Sequence, residues 1–422
     1  MSARGRSVVV TGLGQVAPHG RDVAAGFEAL LQGRSAIALN EVGEAPHSVS
    51  LPTAVCQGFD AAAELGRPRA ATMDRFSQLS ALAGLSAWAD AGLDQPGAVS
   101  AAELEDACVM WGTGAGGTQT LERGYRDLFI KGRARISPLS VVMGMNNAAA
   151  GQLALLLGMG GASYTYSVAC ASSAVAIGEA FRRVRSGECQ LALAGGGEAA
   201  LPYGTVKAWL SMQVMASGDA EQAPTVCRPF DAQRTGLVLG EGAAALVLED
   251  RDHALARGAR IYAELAGAGT SCDHAHLSTP DAGGQLRALR AALRDAGVQA
   301  GDIGYVNAHG TATTEGDPVE IDALRQLLGE HAAKVPISAT KSLHGHLMGA
   351  AGAIEALITV MAVHTGHLPP TGHVQALDER CTGLDHVLGL GRRDARPAWA
   401  LSNSFAFGGS NMVLLFKREQ AA

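Results

Sequence analysis

Aromatic and charged side chains are scarce in this chain of 422 residues, at 5% and 17% of its composition. The charges that are present leave a net charge of −7, so the surface has no general positive field and nucleic acid is not an expected partner. The sequence contains no run of 18 uninterrupted apolar residues, and we therefore expect no membrane-spanning helix. An acidic protein partner would need a local basic patch rather than the whole surface.

The cysteines lack the spacing of a metal site or of a disulfide framework. There are 7 of them, and none forms a CxxC pair. In a chain of this length that usage is typical of a reducing compartment. The N-terminus passes directly into the apolar segment SVVVT, which is too short for a signal peptide. We therefore expect a cytoplasmic protein without a metal centre.

What the chain does have is a pattern that occurs twice. It is 47% hydrophobic with 54 glycines, enough for a large and closely packed core. The segment SVVVTGLG is echoed by RIYAELAGAG, and CVMWGTG is echoed by GYVNAHG. In each half a helical pattern, 73–91 or 284–296, precedes the second of these segments. The repeat predicts a duplicated α/β fold with right-handed crossovers. Its halves would be residues 1–256 and 257–422, and no linker rich in proline or serine separates them.

Residues 162–200 read as strand, sharp turn, helix and strand, with Cys170 at the turn. A thiol at the start of a helix lies in the positive end of the helix dipole. We therefore expect a lowered pKa and a thiolate. The small residues that follow Cys170 would let a substrate approach closely. The alternative for a lone cysteine is a buried, inert side chain.

Two histidines of the second half stand at the end of a strand or in a turn. His309 follows an apolar strand in NAHGTATTEGD, and His346 precedes an alanine-rich helix in KSLHGH. Because ligands gather beyond the carboxyl ends of strands in open α/β sheets, we expect both histidines to lie near Cys170. A metal site of these three residues is an alternative, but no carboxylate is spaced to orient the histidines. The glycine loop at 112–117 lacks the GxxxxGK[ST] pattern of a phosphate-binding loop.

Five stretches together resemble the β-ketoacyl-acyl-carrier-protein synthases of the KAS I/II type, members of the thiolase-like superfamily. They are VACASS, RPFDAQRTGLVLGEGAAALVLED, NAHGTATTEGD, TKSLHGHLMGAAGAIEA and SNSFAFGGSN, in this order. The resemblance runs essentially from end to end. It implies a duplicated thiolase-like fold of five layers, α/β/α/β/α, normally found as a dimer.

The resemblance also implies a role for each motif residue. Cys170 would accept an acyl chain from an acyl carrier protein as a thioester. His309 and His346 would promote the decarboxylation of a malonyl group on a second carrier protein and stabilise the enolate. The resulting carbanion would attack the Cys170 thioester and release a β-ketoacyl product. Lys341 would set the electrostatic environment of the histidines and pair with Glu355.

Further residues of the site follow from the same resemblance. The N–H groups of Cys170 and Phe407 would form an oxyanion hole, and Phe405 and Phe407 resemble the family's mobile gate. Four hydroxyl side chains would line the tunnel for the pantetheine arm: Ser278, Thr279, Thr311 and Thr313. No cofactor is expected, because phosphopantetheine arrives on the carrier protein. Candidates for docking the acidic carrier protein are basic residues: Arg67, Arg69, Lys131, Arg133 and Lys207.

Three positions depart from the pattern. His344 stands where these enzymes usually have threonine, Ala406 stands where glycine usually separates the two phenylalanines, and Ala115 stands where isoleucine is frequent. A methyl group at Ala406 narrows the freedom of the gate. The small Ala115 would enlarge the acyl pocket near the dimer interface. The condensation would remain, but the pathway is open: fatty acid synthesis, or a type II polyketide or aryl-polyene pathway.

Two other classes fit less well. A non-catalytic partner subunit such as a chain-length factor would lack the nucleophile, whereas Cys170 and both histidines are present. A thiolase would use a second cysteine near the C-terminus, where this chain has Phe407, Gly408 and Gly409. The resemblance predicts a homodimer and leaves a heterodimer with a related chain open.

Overall fold

A computed structural model describes residues 5–419 of the chain. Positions 1–4 of the first predicted half and 420–422 of the second lie outside the described residues. The strands are β1 (Val8–Val16), β2 (Ala38–Glu44), β3 (His47–Ala54), β4 (Cys108–Gly112), β5 (Ser163–Tyr166), β6 (Leu191–Glu198), β7 (Leu239–Gly240), β8 (Gly242–Asp250), β9 (Ala263–Cys272), β10 (Tyr305–Asn307), β11 (Pro336–Ser338), β12 (Asp385–His386), β13 (Trp399–Phe405) and β14 (Ser410–Arg418).

The helices are α1 (Val23–Leu31), α2 (Ala61–Leu65), α3 (Arg67–Ala70), α4 (Arg75–Asp90), α5 (Ala101–Asp106), α6 (Thr118–Tyr125), α7 (Ser140–Gly144), α8 (Ala148–Leu157), α9 (Ser172–Ser186), α10 (Tyr203–Ser211), α11 (Arg251–Ala256), α12 (Ala282–Ala296), α13 (Gly316–Leu328), α14 (Lys341–His344) and α15 (Ala351–Thr365). Short 3₁₀ turns and one π-helical turn, Arg126–Ile130, complete the chain.

The duplication predicted from the sequence is visible in the strand order. One hydrogen-bonded sheet of 11 strands runs β5-β4-β6-β8-β1 and continues β9-β14-β13-β10-β11-β12. In each half the strand at the shared boundary pairs antiparallel with its neighbour, the next pair is also antiparallel, and the outer strands are parallel. The halves therefore share one topology, and they join where β1 pairs with β9 over only three residues, Val8 to Val10.

The helices complete five layers, as the resemblance implies. The helices α9 and α15 lie in the middle and contact strands of both halves as well as each other. On the outside, α4 and α8 cover the strands of the first half, while α12 packs on β9 and β14 and α13 packs on α12. Each interface has its own apolar core, because alanine, leucine and valine dominate the facing surfaces.

Local sequence signals explain where the helices begin. Asp74 accepts the Phe76 N–H at the start of α4, Asp281 accepts the Gly284 N–H at the start of α12, and Ser100 forms a capping box with Glu103. Several long helices end on a glycine in the left-handed conformation, for example Gly187 after α9. Local capping residues therefore account for where these helices begin and end.

Two further expectations concern compartment and membrane. All seven cysteines are free thiols, and Cys272 is exposed. Within residues 5–419, the stretch Met348–Thr365 is long and apolar enough to cross a membrane, but 89% of it is buried inside the protein. It comprises α15 and the turn that leads into it, so its apolar character is explained by its place in the central layer.

Candidate active site

Cys170 lies in a sharp turn between β5 and the first residue of α9. Ala169, just before it, has a φ of 44°, which is the left-handed region. Ser172 stabilises this turn, because its hydroxyl accepts the Val168 N–H at 2.8 Å and donates to the Ala169 carbonyl at 2.7 Å. The turn packs tightly on β4, where a side chain at Gly112 would clash with the backbone of Ser173. The thiol of Cys170 is buried at the carboxyl edge of the sheet.

His346 contacts this thiol directly. Its Nε2 lies 3.0 Å from Cys170 Sγ. Its Nδ1 accepts the backbone N–H of Met348 at 3.2 Å, so the ring proton is on Nε2 and points at the sulfur. The backbone on either side is fixed by β-type hydrogen bonds to Val238 and Gly240. The ring is thus held in one tautomer and one position.

His309 also belongs to the second half, and its ring has the same tautomer as that of His346. Its ring lies edge to face with that of His346, with the ring centroids 5.6 Å apart. Lys341 Nζ donates to the His309 carbonyl at 2.5 Å and lies 3.3 Å from Nδ1. Because an ammonium group can only donate, Nδ1 is the acceptor and Nε2 carries the proton. Glu320 fixes the loop by accepting the N–H groups of His309 and Gly310, at 2.9 and 2.8 Å.

Burial sets the charge state of these groups. It lowers the pKa of both His309 and His346 well below the usual value, and the charge of Lys341 acts in the same direction. Both rings are therefore neutral at physiological pH. Burial also raises the pKa of Glu355 to about 7, against the opposing effect of Lys341, to which it is hydrogen-bonded. Neither Lys341 nor Glu355 is exposed to solvent, as the predicted pairing requires.

The expectation that Cys170 is a thiolate is wrong. Burial raises the pKa of Cys170 to about 11, although Lys341 and the N–H groups of Phe407 and Cys170 act to lower it. The helix-start position was predicted correctly, but the loss of hydration outweighs the helix dipole because the thiol is enclosed. Cys170 is therefore a thiol in the free protein. These two N–H groups therefore lie near the thiol, and their role as an oxyanion hole stays a prediction.

A cavity of about 270 Å³ leads to these residues. Its walls include Cys170, both histidines and eight other residues of interest: Trp209, Gln285, Ser278, Thr279, Thr311, Thr313, Phe405 and Phe407. The four predicted hydroxyl residues thus lie together at the cavity. Phe405 lies edge-on to His309 with the ring centroids 6.2 Å apart. Phe407 stacks on Trp209 at 5.9 Å, just before Gly408 and Gly409, both of which have positive φ.

Cys170, His309 and His346 also place one nitrogen or sulfur atom each within 4.8 Å of one another, as three metal ligands would. Their chemistry does not suit a metal. The ring nitrogen of His346 that faces the sulfur is protonated, and the hydrogen bonds to both Nδ1 atoms oppose the other tautomer. The buried charge of Lys341 would also repel a cation.

Comparison with known proteins agrees with this geometry. Residues 5–254 match the family "Beta-ketoacyl synthase, N-terminal domain", and residues 262–375 match "Beta-ketoacyl synthase, C-terminal domain". This chain belongs to the β-ketoacyl synthase family. The 3-oxoacyl-[acyl-carrier-protein] synthase 2 of Vibrio cholerae is 39% identical over 98% of this chain and 99% of its own. Nodulation protein E of Rhizobium sp. (strain N33) is also 39% identical, over 98% and 99%.

Solved structures of β-ketoacyl synthases share the fold. A β-ketoacyl synthase from Burkholderia phymatum superimposes with a TM-score of 0.88 at 34% identity, covering 98% of this chain and 100% of its own. The ishigamide ketosynthase/chain length factor gives 0.89 at 30% identity, covering 99% and 100%. A type II polyketide ketosynthase in complex with its acyl-carrier protein gives 0.88 at 27% identity, covering 99% and 100%. The predicted thiolase-like fold and enzyme class are confirmed.

The three departures from the family pattern have structural consequences of different kinds. Ala115 does not line the Cys170 cavity. It packs against an apolar cluster that Trp209 also contacts and that includes Met348, and the larger acyl pocket at the dimer interface stays a prediction. His344 is buried, and its Nε2 lies 3.0 Å from Thr340 Oγ1. Burial lowers its pKa to about 3, so it is neutral. Ala406 closes the turn through its N–H bond to Ser410.

Two residues with a structural role at this site had no assigned role in the sequence. Arg234 is buried and donates to the carbonyls of Thr313 and Thr314, both at 2.8 Å, so it holds the hydroxyl loop from behind. Glu320 holds the His309 loop, as described above. Arg234 lies within the RPFDAQRTG stretch, and Glu320 lies on the helix after the TATT loop. Both residues therefore lie within or beside recognised motifs, but their contacts join segments that are far apart in sequence and could not be predicted from it.

Proposed function

We propose that this chain is a β-ketoacyl-[acyl-carrier-protein] synthase of type II fatty acid biosynthesis. The observation that carries the proposal is the convergence of one thiol and two neutral histidines in a single enclosed cavity, with the ring proton of each histidine on Nε2. A nucleophile beside two fixed N–H donors suits acyl transfer followed by enolate chemistry.

In the first step, Cys170 takes the acyl chain from an acyl carrier protein. Its sulfur attacks the thioester carbonyl, and the oxygen gains charge between the N–H groups of Cys170 and Phe407. The bond from carbon to the pantetheine sulfur breaks, and that sulfur takes up the proton that Cys170 loses. The acyl group is then held on the enzyme, and the pantetheine thiol departs with its carrier.

In the second step, a malonyl carrier protein occupies the cavity. Carbon dioxide leaves, and the electron pair of the broken bond forms an enolate whose oxygen accepts hydrogen bonds from the Nε2–H groups of His309 and His346. The enolate carbon attacks the Cys170 thioester and forms the new carbon–carbon bond, while the bond from carbon to Sγ breaks. Sγ leaves as a thiolate, which takes up a proton from solvent, and a β-ketoacyl carrier protein departs. Because both rings are neutral donors, they stabilise the charge without supplying a proton. No further cofactor is required, since phosphopantetheine arrives on the carrier protein.

A basic groove supports the carrier protein as the partner. It is lined by the cationic residues Arg67, Arg75, Arg123, Arg126 and Lys131, of which Arg67 and Lys131 were predicted to dock a carrier protein. Three of these cations are ion-paired, Arg75 with Glu241, Arg126 with Glu44 and Lys131 with Asp127, whereas Arg123 has no ion pair among residues 5–419. The groove borders the start of α10 and the Cys170 cavity borders its end, so a carrier docked here could extend its arm to the thiol. Arg69, Arg133 and Lys207 remain candidates at the rim.

An exposed apolar face supports a homodimer. It is formed by residues of the segment 125–164 that are large, apolar and exposed: Tyr125, Phe129, Ile130, Leu139, Val141, Val142, Met145, Leu155 and Tyr164. The same segment ends in β5, the outermost strand of the sheet, whose free edge can pair with another strand. A large apolar patch beside an open edge is typical of an interface. We assign it to a second copy of this chain, with a related chain as the alternative, and place the dimer in the cytoplasm.

A specialised pathway is the second candidate. Nodulation protein E is as similar to this chain as a 3-oxoacyl-[acyl-carrier-protein] synthase is, and the ishigamide ketosynthase is 30% identical. His344 and Ala406 are the departures that favour this alternative. A ketosynthase of a polyketide or aryl-polyene pathway would use the same two steps on a different acyl chain. A non-catalytic chain-length-factor role is disfavoured by the complete set of Cys170, His309 and His346.

Intact-protein mass spectrometry tests both the reaction and the pathway. The protein is incubated with carrier proteins loaded with acetyl, long saturated and polyenoyl chains. We expect one acyl adduct on Cys170 and none on Cys170→Ala. Preference for saturated chains supports fatty acid synthesis, and preference for polyenoyl chains supports the specialised pathway. If no carrier-bound acyl group gives an adduct, the proposed function is wrong.

A further inference from the structure

The stack between Phe407 and Trp209 joins the reaction centre to α10. The two ring planes are 18° apart with centroids at 5.9 Å, which is an offset stacked arrangement. Trp209 lies near the end of α10, and both rings line the Cys170 cavity. Neither the mechanism proposed above nor the motifs of the sequence give Trp209 a task.

Phe407 combines two contacts on one residue. Its backbone N–H acts on the Cys170 thiol, with which it shares the cavity, while its side chain stacks on Trp209. The backbone that follows consists of Gly408 and Gly409, at φ values of 85° and 77°. Glycine restricts the chain least, so the direction of the Phe407 N–H depends on contacts made by its neighbours and its own ring.

The backbone hydrogen bonds of the neighbouring residues tie this turn to the second half. Gly408 N–H donates to the Leu277 carbonyl at 2.7 Å, and the turn closes on itself through Ala406 and Ser410. Cys170, in contrast, belongs to the first half. Trp209 also belongs to the first half, and it packs against an apolar cluster that contains Val206 and Leu237 of the same half. The aromatic stack therefore fixes the Phe407 turn relative to the half that carries the thiol.

We propose that Trp209 is a positioning residue of the condensing reaction, which by stacking on Phe407 keeps the Phe407 N–H directed at the Cys170 thioester oxygen. This rests on the proposed function, because the N–H group matters only if Cys170 is acylated. Trp209 acts on the acyl transfer to Cys170. The enolate oxygen is bound by His309 and His346, so decarboxylation of the malonyl group does not depend on this N–H. The two half-reactions should therefore respond differently to the loss of the indole ring.

The test compares Trp209→Leu with Trp209→Phe in single-turnover assays on the full chain. Acyl transfer is followed by mass spectrometry of the Cys170 adduct, and decarboxylation is followed by carbon dioxide release from malonyl carrier protein. Loss of an aromatic stack should slow acyl transfer about five- to tenfold in Trp209→Leu, with a much smaller effect on decarboxylation. Trp209→Phe keeps a stacking ring and should recover most of the acyl-transfer rate.

Trp399→Leu is the matched control, because it removes an indole ring far from the reaction centre. Trp399 is the first residue of β13, about 20 Å along the strand from Phe405, its last residue. Trp399→Leu should leave the ratio of the two rates unchanged. The proposal is overturned if Trp209→Leu slows both half-reactions equally, if it slows neither, or if Trp209→Phe is no better than Trp209→Leu. Should Trp209→Leu fail to fold, the smaller ring of Trp209→Phe must still give a smaller shift of the ratio in the same direction. Failure of the wild-type protein to form an adduct would instead contradict the proposed function.

Discussion

At the scale of single residues, the pKa of Cys170 decides how the thiol is activated. Burial raises that pKa to about 11, so the reactive thiolate is a minor species at neutral pH. The neighbouring histidines have pKa values far below this range and stay neutral when the pH rises. Glu355, with a pKa of about 7, is ionised above about pH 8, so its charge does not change further there. Above that pH, the thiolate fraction of Cys170 still increases.

We therefore expect the rate of Cys170 acylation to rise with pH. The thiolate fraction grows about tenfold per pH unit below the pKa of the thiol, so the single-turnover rate should follow it from about pH 8 to about pH 10. The rate is measured by quenching and weighing the acyl-enzyme. A rate that is already constant at about pH 8 would mean a preformed thiolate, as the helix-start position alone had suggested.

The two histidines should matter for the second step more than for the first. His309→Ala and His346→Ala should still form the acyl-enzyme, whereas each should slow the release of carbon dioxide from malonyl carrier protein about 100-fold, as the loss of one oxyanion donor does. His386→Ala is the control, because His386 is half-buried and hydrogen-bonds the Cys381 carbonyl at 2.8 Å, away from the cavity. Equal loss of both steps in the active-site variants would contradict the assignment of these rings to the enolate.

At the scale of elements, the sequence predicted helices and strands better than it predicted their contacts. The helices α4 and α12 could be predicted from the local spacing of apolar residues and from their capping residues, and the repeat of the pattern indicated the duplication. The catalytic set came from motif resemblance. Arg234, Glu320 and Trp209 were not assigned, because each acts on a segment of the chain far from its own position. The raised pKa of Cys170 could not be predicted either, since it depends on how completely the layers enclose the thiol.

The crossing of α9 and α15 sets the distance between Cys170 and His346, because each helix begins shortly after one of these residues. The helices touch at Gly352, where a Cβ atom would lie 2.6 Å from Ala174 Cβ and 2.7 Å from Ala174 N. Ala353 N–H also donates to Ser173 Oγ at 2.8 Å. Glycine at this position therefore permits the close approach that brings Sγ within 3.0 Å of Nε2.

Gly352→Val should separate the two helices. We expect the free energy of unfolding to fall by about 1–3 kcal/mol, as overpacked cores do. We also expect condensation to slow about 100-fold, because a displacement of about 1 Å disrupts the alignment of the reacting groups. Urea unfolding and a condensation assay check both. Gly124→Ala in α6 is the control, since its new methyl group would meet only the movable Ile136 Cδ1 at 3.3 Å. A fully active, stable Gly352→Val would contradict this account of the crossing.

At the scale of the whole molecule, a protein with a net charge of −7 and the proposed acidic carrier protein would repel each other, so the proposal assigns recognition to the local basic groove. Arg123→Glu should raise the KM for acyl carrier protein about tenfold while kcat changes little, because a charge at the rim acts on encounter. The effect should shrink as salt is added. Arg290→Glu changes the same charge on the exposed face of α12 and serves as the control. An equal rise of KM in both variants would point to net charge rather than to the groove.

The exposed apolar face and the open edge of β5 argue that the folded chain is incomplete as a monomer. Leu155 is 81% exposed on α8, within that face, and a carboxylate there would be buried without a partner on association. Leu155→Glu should therefore shift the protein from dimer to monomer in sedimentation velocity. Leu390 is 70% exposed but lies outside the face, so Leu390→Glu should remain dimeric. If the wild-type protein is itself a monomer that dimerises only with a related ketosynthase-like chain, the face belongs to a heterodimer and the second-copy assignment is wrong.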